Sequence, residues 1–187
     1  MPMDNGASSY RRFLDGDDSG FVEIIKEYKD GLMFYINSFV RDLHIAEDLT
    51  EDTFFKIVTK RPRFSGKSSF KTWLYAIGRN VALDYLKKHS GRKDIPLEDI
   101  ICRTDEEKII ESEFFREEQK ILLHRAMSRL KPDYRQILWL VYFENFSNKD
   151  AATVMKKKVH NIETLVYRAR LALKEELKKE DFIYEDL

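Results

Sequence analysis

Apolar side chains recur along this chain at steps of three and four residues, the spacing that places them on one face of an α-helix. The clearest run is formed by eight large apolar residues: Phe21, Ile24, Ile25, Tyr28, Leu32, Tyr35, Ile36 and Phe39. No stretch sustains the apolar and polar alternation that is typical of a strand. The pattern therefore predicts an all-α fold.

Two further helices are predicted before residue 90. One starts near His44 and runs to Lys60, because Pro62 cannot continue a helix. After a short loop that contains Gly66, the next helix starts at Ser69. Its apolar stripe, which we expect to face the core, consists of Phe70, Leu74, Ile77, Val81 and Tyr85.

The same helix carries other groups away from this stripe. At about 100° per residue, Lys71, Tyr75 and Arg79 are predicted to point outward. Trp73 and Asn80 lie at the edge of the stripe. Ordinary packing is the alternative for the aromatic residues, and it is as good an explanation as exposure for Trp73 but the weaker one for Tyr75.

A helix-turn-helix arrangement is predicted in the last third of the chain. After a break at Pro132, Tyr134–Phe143 predicts one buried helix. Ser147 with Asp150 three residues later is typical of a helix start. The inward residues of this short helix are Ala151, Val154 and Met155, and a basic turn over 156–160 leads to a last helix with the stripe Ile162, Leu165, Val166, Ala169 and Leu173. Two helices with facing apolar sides and a tight turn between them form a helix-turn-helix.

The helical pattern is weak between these two parts. Gly91 and Pro96 interrupt it, and an acidic stretch follows. The sequence therefore predicts two small helical domains, over residues 1–88 and 114–187, joined by a flexible acidic linker over 89–113. A solvated surface strap explains this segment at least as well as a functional insertion does.

Composition narrows the kinds of protein that this chain can be. Its 187 residues, 43% of them hydrophobic, are enough to bury a core. No apolar run approaches the roughly 20 residues that a bilayer requires. The amino terminus lacks the apolar segment of a secretory signal, and the single cysteine, Cys102, cannot form an internal disulfide. We expect a cytoplasmic protein without membrane insertion.

Signals for metal or catalytic chemistry are weak. The four histidines lie far apart, and none has a cysteine or a pair of carboxylates at ligand spacing. A helical enzyme acting on nucleotides would need a cluster of catalytic side chains or a glycine-rich phosphate loop, and the sequence has neither. The sequence thus predicts a protein that is not an enzyme and that uses no metal and no cofactor.

The net charge of zero conceals alternating blocks of charge. The net charge is −5 over residues 1–60, +8 over 61–93, −6 over 94–120 and +3 over 121–187. The basic block also contains the aromatic residues Phe64, Phe70, Trp73, Tyr75 and Tyr85. Lysine and arginine neutralise phosphates, and an exposed ring can stack on a base for about 1–3 kcal/mol. Residues 61–93 are therefore typical of a nucleic-acid-binding segment.

The last helix offers a second candidate surface for DNA. Residues opposite its apolar stripe would reach base edges in a major groove: Asn161, Glu163, Thr164, Tyr167, Arg168 and Lys174. The basic turn would lie beside phosphates through Lys156, Lys157, Lys158 and His160. These charges also suit an ordinary solvated turn.

Three segments, taken together, carry a resemblance to a known family. They are DLTEDTFFKIV (48–58), RFSGKSSFKTWLYAIGRNVALDYL (63–86) and SNKDAATVMKKKVHNIETLVYRARLALKEEL (147–177). In their order and spacing they resemble bacterial RNA polymerase sigma factors of the extracytoplasmic-function (ECF) class, in the sigma-70 family. The resemblance covers about 20–88, similar to region 2 of that family, and about 115–178, similar to region 4.

The resemblance implies roles for particular residues. In the family the acidic second helix binds core RNA polymerase, which here implies Asp48, Glu51, Asp52, Phe54 and Phe55. The loop after it and the following helix bind the opened minus-ten strand, which implies Phe64, Ser65, Lys67, Ser69, Lys71, Trp73, Tyr75, Arg79 and Asn80. The helix-turn-helix residues named above would recognise the minus-thirty-five element as duplex.

The resemblance also implies binding partners. The partners are core RNA polymerase, promoter DNA and an anti-sigma factor, and the acidic residues 94–113 resemble a nucleic-acid mimic in the polymerase.

This chain departs from the family in having Lys156 where a glycine is common, and Glu163 and Leu165 where basic residues are common. The main alternative is a conventional helix-turn-helix regulator that never joins the polymerase, but it leaves the basic aromatic segment unexplained.

Overall fold

The structure, a computed structural model, describes residues 5–89 and 118–179, and these residues are helical, with no strand among them. The helices are α1 (Asn5–Leu14), α2 (Asp18–Val40), α3 (Leu43–Lys60), α4 (Phe70–His89), α5 (Glu118–Ser128), α6 (Pro132–Leu138), α7 (Asn148–Met155) and α8 (Val159–Lys178). The predicted all-α fold is confirmed. Apart from His89, the predicted linker lies outside the described residues, and so does Cys102.

Short polar side chains fix the starts of several helices. The Asp42 carboxylate accepts hydrogen bonds from the backbone N–H groups of His44 (3.0 Å) and Ile45 (3.2 Å), so α3 begins at Leu43. The Ser147 hydroxyl oxygen accepts from the N–H of Asp150 (3.1 Å), as its position in the sequence predicted. These caps satisfy N–H groups that have no partner inside the helix.

Helices α2, α3 and α7 each end at a basic residue in the left-handed conformation. The φ angles are 57° at Arg41, 41° at Arg61 and 54° at Lys156. Glycine adopts this conformation without steric cost, whereas a residue with a Cβ does so less readily. At the helix-turn-helix turn, where the family that the sequence resembles often has a glycine, this chain has Lys156 with a positive φ.

Helices α1 to α4 form a first bundle around an aromatic core. Helix α1, which the sequence did not predict, packs on α2, and its Tyr10 and Phe13 are buried. The Tyr10 hydroxyl donates to the carbonyl of Pro62 at 2.7 Å. The crossing of α1 and α2 depends on Gly20, where a Cβ would lie 2.2 Å from the backbone oxygen of Ser9.

Helices α5 to α8 form a second bundle. The buried side chains of the helix-turn-helix include Ala151, Val154, Met155, Ile162 and Ala169. This confirms the inward face predicted for α7, and the remaining stripe residues of α8 are half-buried against the same core.

Helix α6 differs from its prediction at both ends. It starts at Pro132, because proline suits the first turn of a helix, where its missing N–H has no partner to lose. It ends in a π-helical segment, Trp139–Phe143, in which Tyr142 and Phe143 are exposed. The prediction of one buried helix through Phe143 is therefore wrong at its end, since a wider π turn rotates the following side chains away from the α-helical stripe.

The two bundles pack against each other and share one continuous hydrophobic core. Helix α4 packs on α7, and α2 packs on α6. Between them the ring of Phe146 lies on that of Tyr75, with 5.1 Å between centroids. The predicted domain limits stay a prediction, but the described residues do not form two separate cores.

We predict that Gly20→Ala destabilises the chain by about 1–3 kcal/mol, because the added methyl group would collide with backbone atoms of α1. Urea denaturation followed by circular dichroism measures the change. Val22→Ala is the matched control, since Val22 is exposed two residues further along α2, and it should change the free energy of unfolding by less than about 0.5 kcal/mol. Equal stability of Gly20→Ala and wild type would contradict the close crossing.

Candidate nucleic-acid interface

The loop between α3 and α4 presents a basic, exposed tip. Arg63, Ser65 and Lys67 are exposed, and Gly66 takes φ 71° with open space beside it. Phe64 is half-buried, and its ring lies 5.4 Å from that of Trp73. One aromatic side chain thus fixes the loop to the first bundle and leaves its cations accessible to solvent.

Trp73 lies at the border between core and surface, as its position at the stripe edge predicted. It is half-buried, and its ring packs 5.3 Å from Tyr10 and 5.3 Å from Phe70. A rigid, half-buried ring keeps part of its surface accessible, and base stacking uses such a ring. Trp73 and the loop tip therefore form a coherent candidate surface for a single strand.

The predicted outward face of α4 is largely covered. Tyr75 is completely buried and Arg79 is nearly so, which makes the predicted exposure of both residues wrong. The reason is that α4 packs on α2 along one side and is covered by α7 and the turn 144–146 along another. The periodicity of one helix cannot reveal a second packing partner.

Polar groups of the second bundle bind the remaining α4 residues of the predicted set. The Lys71 ammonium lies 2.8 Å from the Glu144 carboxylate and donates to the Glu144 carbonyl at 2.9 Å. The Tyr75 hydroxyl donates to the same carboxylate at 2.7 Å. Burial, and next the Glu144 charge, raise the pKa of Tyr75, so the hydroxyl remains a donor at neutral pH. Asn80 accepts from Lys156 at 2.9 Å.

Sequence reasoning did not identify Glu144 as a functional residue. It follows the π-helical segment in a short turn, where a single acid gives no periodic signal. Its importance comes from contacts with residues about 70 positions away, which only the fold reveals.

Of the five α3 residues predicted to bind the polymerase, four are exposed and one is buried. Asp48, Glu51 and Asp52 are exposed. Phe55 is 68% exposed, whereas Phe54 is only 6% exposed and packs edge-on against Phe21. Phe54 is thus a core residue, while Phe55 remains as an apolar group on a charged surface.

The helix-turn-helix leaves its predicted DNA-facing side open. The exposed members of the predicted set are Lys156, Lys158, His160, Asn161, Glu163, Tyr167, Arg168 and Lys174. Thr164 is half-buried, and its hydroxyl donates to the His160 carbonyl at 3.2 Å. Lys157 is half-buried beside Asp133, with 3.0 Å between the charged groups. The polar side of α8 is therefore available to a groove, and Lys157 belongs to the packing of the second bundle.

Neither a metal cluster nor a membrane-spanning helix is present in the described ranges, 5–89 and 118–179. No cluster of histidine, cysteine and carboxylate side chains could hold a metal ion. No helix there has the length and apolar character needed to cross a membrane.

A helical bundle with a basic aromatic loop, followed by a helix-turn-helix, is typical of DNA-binding proteins of transcription. Residues 24–92 match the family described as Sigma-70 region 2, and residues 120–173 match Sigma-70, region 4. The chain belongs to the sigma-70 family, in its ECF class: it is a sigma factor, which gives transcription initiation its promoter specificity. The resemblance read from the sequence is confirmed, and the conventional-regulator alternative is not favoured.

Similar proteins cover both halves of the chain. The ECF RNA polymerase sigma factor SigM of Bacillus subtilis is 30% identical over 152 residues, 81% of this chain and 91% of that protein. The RNA polymerase sigma-H factor of Pseudomonas aeruginosa is 32% identical over 175 residues, 89% of this chain and 91% of that protein.

Solved structures share the fold. The sigma factor RpoE of Bartonella quintana, in complex with the anti-sigma factor NepR, has a TM-score of 0.68 at 24% identity and covers 84% of this chain and 96% of its own. CnrH, in complex with the cytosolic domain of CnrY, has a TM-score of 0.64 at 20% identity and covers 94% of this chain and 96% of its own.

We predict that substitutions of the two neighbouring phenylalanines differ strongly in their effect on stability. Phe54→Ala should cost about 3–5 kcal/mol because it removes a buried ring. Phe55→Ala should change the free energy of unfolding by less than about 0.5 kcal/mol. Urea denaturation of both variants tests the assignment, which would be wrong if the two losses were equal.

Proposed function

We propose that the binding functions of the chain are distributed over the same regions as in the family. Region 2 covers residues 1–88, a linker covers 89–113 and region 4 covers 114–187. Region 2 binds core RNA polymerase and the opened minus-ten strand, and region 4 binds the minus-thirty-five duplex. The observation that carries this proposal is the pairing in one chain of an exposed basic loop beside Trp73 with a helix-turn-helix whose polar side is open. The chain acts by binding, in the cytoplasm, and is not an enzyme.

The polymerase-binding surface is the outer face of α3. Exposed carboxylates of Asp48, Glu51 and Asp52 attract a basic partner and favour correct orientation during encounter. Phe55 supplies an exposed ring that can be buried at the centre of the contact. Phe54 supports this face from the core.

The strand-binding surface holds bases of the opened strand, so strand separation needs no hydrolysis. Each stacking step that opens costs about 1.4 kcal/mol, and each captured base returns about 1–3 kcal/mol. Phosphate contacts by Arg63 and Lys67, together with polymerase binding, supply the remainder. The isolated chain should therefore open duplex DNA poorly.

Region 4 reads duplex DNA through the exposed polar side of α8. Arg168 and Asn161 are suited to donate to base edges, and Glu163 can accept from a cytosine amino group. Lys156 and Lys158, at the turn, lie where phosphates would pass. An anti-sigma factor is a further proposed partner, since the related RpoE structure is a complex with the anti-sigma factor NepR.

The first test is transcription with purified core RNA polymerase. The chain should bind the polymerase and give discrete start sites on genomic DNA fragments that the core enzyme alone does not give. Phe55→Ala should weaken polymerase binding by about 10-fold or more, the effect of losing an anchor residue at an interface. Glu175→Gln, an exposed change on α8 far from the α3 surface in sequence, is the control. No complex at micromolar concentration would contradict the proposal.

The second test separates strand capture from duplex recognition. Lys67→Ala and Trp73→Ala should slow promoter opening, measured by permanganate reactivity of unpaired thymines, while polymerase binding stays within about 2-fold. Arg168→Ala should instead weaken binding to the closed promoter duplex, before any strand opens. Lys67 is exposed at the loop tip, so its substitution leaves the aromatic cluster intact. Equal loss of opening and polymerase binding would contradict this division.

A further inference from the structure

Helix α8 carries a single acidic residue in the part that would enter a DNA groove. Over the first three turns, residues 159–169, that acid is Glu163. Its side chain is 55% exposed, whereas the neighbouring Ile162 and Ala169 are buried in the core. The amino-terminal part of the second helix of a helix-turn-helix contacts base edges. Glu163 therefore lies where a base pair would meet it.

Contacts within the chain do not account for this acid. Its ion-pair partner is His160, whose Nδ1 lies 3.9 Å from the Glu163 Oε2. The His160 side chain is 87% exposed, and an ion pair between exposed side chains stabilises a fold very little. The Glu163 carboxylate is thus available to a partner outside the chain.

DNA phosphates make an isolated carboxylate unfavourable at this place. Lys156 and Lys158 are exposed in the turn before α8, and Arg168 is exposed just over one turn beyond Glu163. These cations attract phosphates, so the same phosphates would repel the carboxylate that lies between the cations. A hydrogen bond donated by a base to the carboxylate would offset this repulsion.

The groups exposed in the major groove decide which base that is. An ionised carboxylate only accepts hydrogen bonds, and neither guanine nor thymine offers a donor there. Adenine has an amino donor, but its N7 acceptor lies beside the amino group and repels a carboxylate. Cytosine offers an amino donor without a neighbouring acceptor of its own. Cytosine is therefore the base that suits Glu163.

Tyr167 is placed to shield such a contact from water. It lies four residues after Glu163, which is about 40° further around the helix and about 6 Å along it. The side chain is 64% exposed, and long side chains in a helix lean toward the amino terminus, over the turn that carries Glu163. A hydrogen bond to a carboxylate is stronger where water is excluded, so the ring would strengthen the preference for one base.

From these features we propose that Glu163 makes cytosine the preferred base at one position of the minus-thirty-five element. This proposal rests on the proposed function, because it takes α8 as the helix that reads the duplex. Replacement of a base pair that a protein contacts typically lowers the affinity about 5- to 150-fold. One acidic side chain would thus give this chain a promoter preference of measurable size.

The test measures base preference with the full-length chain assembled with core RNA polymerase. A promoter that the wild-type holoenzyme uses, found by mapping its transcription starts, is prepared as duplexes with a randomised minus-thirty-five region. Bound duplexes are separated by gel shift and sequenced, which gives the relative affinity for each base at each position. The variants are Glu163→Gln and Glu163→Arg, and circular dichroism confirms that both keep the helical content of wild type.

We expect wild type to prefer cytosine about 10-fold or more over the other bases at one position. Both Glu163 variants should lose this preference, and Glu163→Arg should shift it toward guanine, because arginine donates to both guanine acceptors. Preferences at the other positions should change by less than about 2-fold. Glu175→Gln is the matched control, since it removes the same charge from an exposed position later in α8, and it should keep the cytosine preference.

Three outcomes would overturn the proposal and leave the proposed function intact. One is equally tighter binding to all sequences in both Glu163 variants, since Glu163 would then only repel phosphates. Another is unchanged preference in both folded variants, or dependence on Glu163 at a position where wild type prefers a base other than cytosine. The third is an equal loss of preference in Glu175→Gln, which would make the effect one of net charge. A wild-type holoenzyme that starts transcription at no defined site would instead contradict the proposed function, and this proposal with it.

Discussion

The position of α4 between two bundles is the constraint on which the rest of this structure depends. On one side its Phe70 and Leu74 complete the aromatic core of the first bundle. On the other side Tyr75 is buried against Phe146 and bonded to Glu144. A helix covered on two sides must carry apolar and polar groups that suit both, which explains why its sequence does not follow one simple stripe.

This double packing gives the cationic and aromatic residues of α4 two possible partners. Within the chain Lys71 meets the Glu144 carboxylate and the Phe146 ring, and Asn80 accepts from Lys156, all three partners lying on the second bundle. An opened DNA strand offers phosphates and bases of similar chemistry. Under the proposed function, the closely packed interface does not admit both sets of partners at once.

Two of the surfaces named in the proposed function are exposed. The acidic face of α3 with Phe55, and the polar side of α8, are accessible while the two bundles are packed together. Binding of the polymerase or of duplex DNA, as proposed, therefore needs no rearrangement of the two bundles.

The sequence by itself determined the elements with strong local causes. The stripe from Phe21 to Phe39, the cap at Ser147 and the inward face of α7 are as predicted, because spacing and capping act over a few residues. Charge blocks and motif order likewise identified the family. The packing of α1 through Gly20, the burial of Phe54 and the covering of Tyr75 by Glu144 and Phe146 were decided only in the tertiary structure. These features join residues far apart in the chain, and the periodicity of one helix shows that a face is apolar but not how many partners cover it.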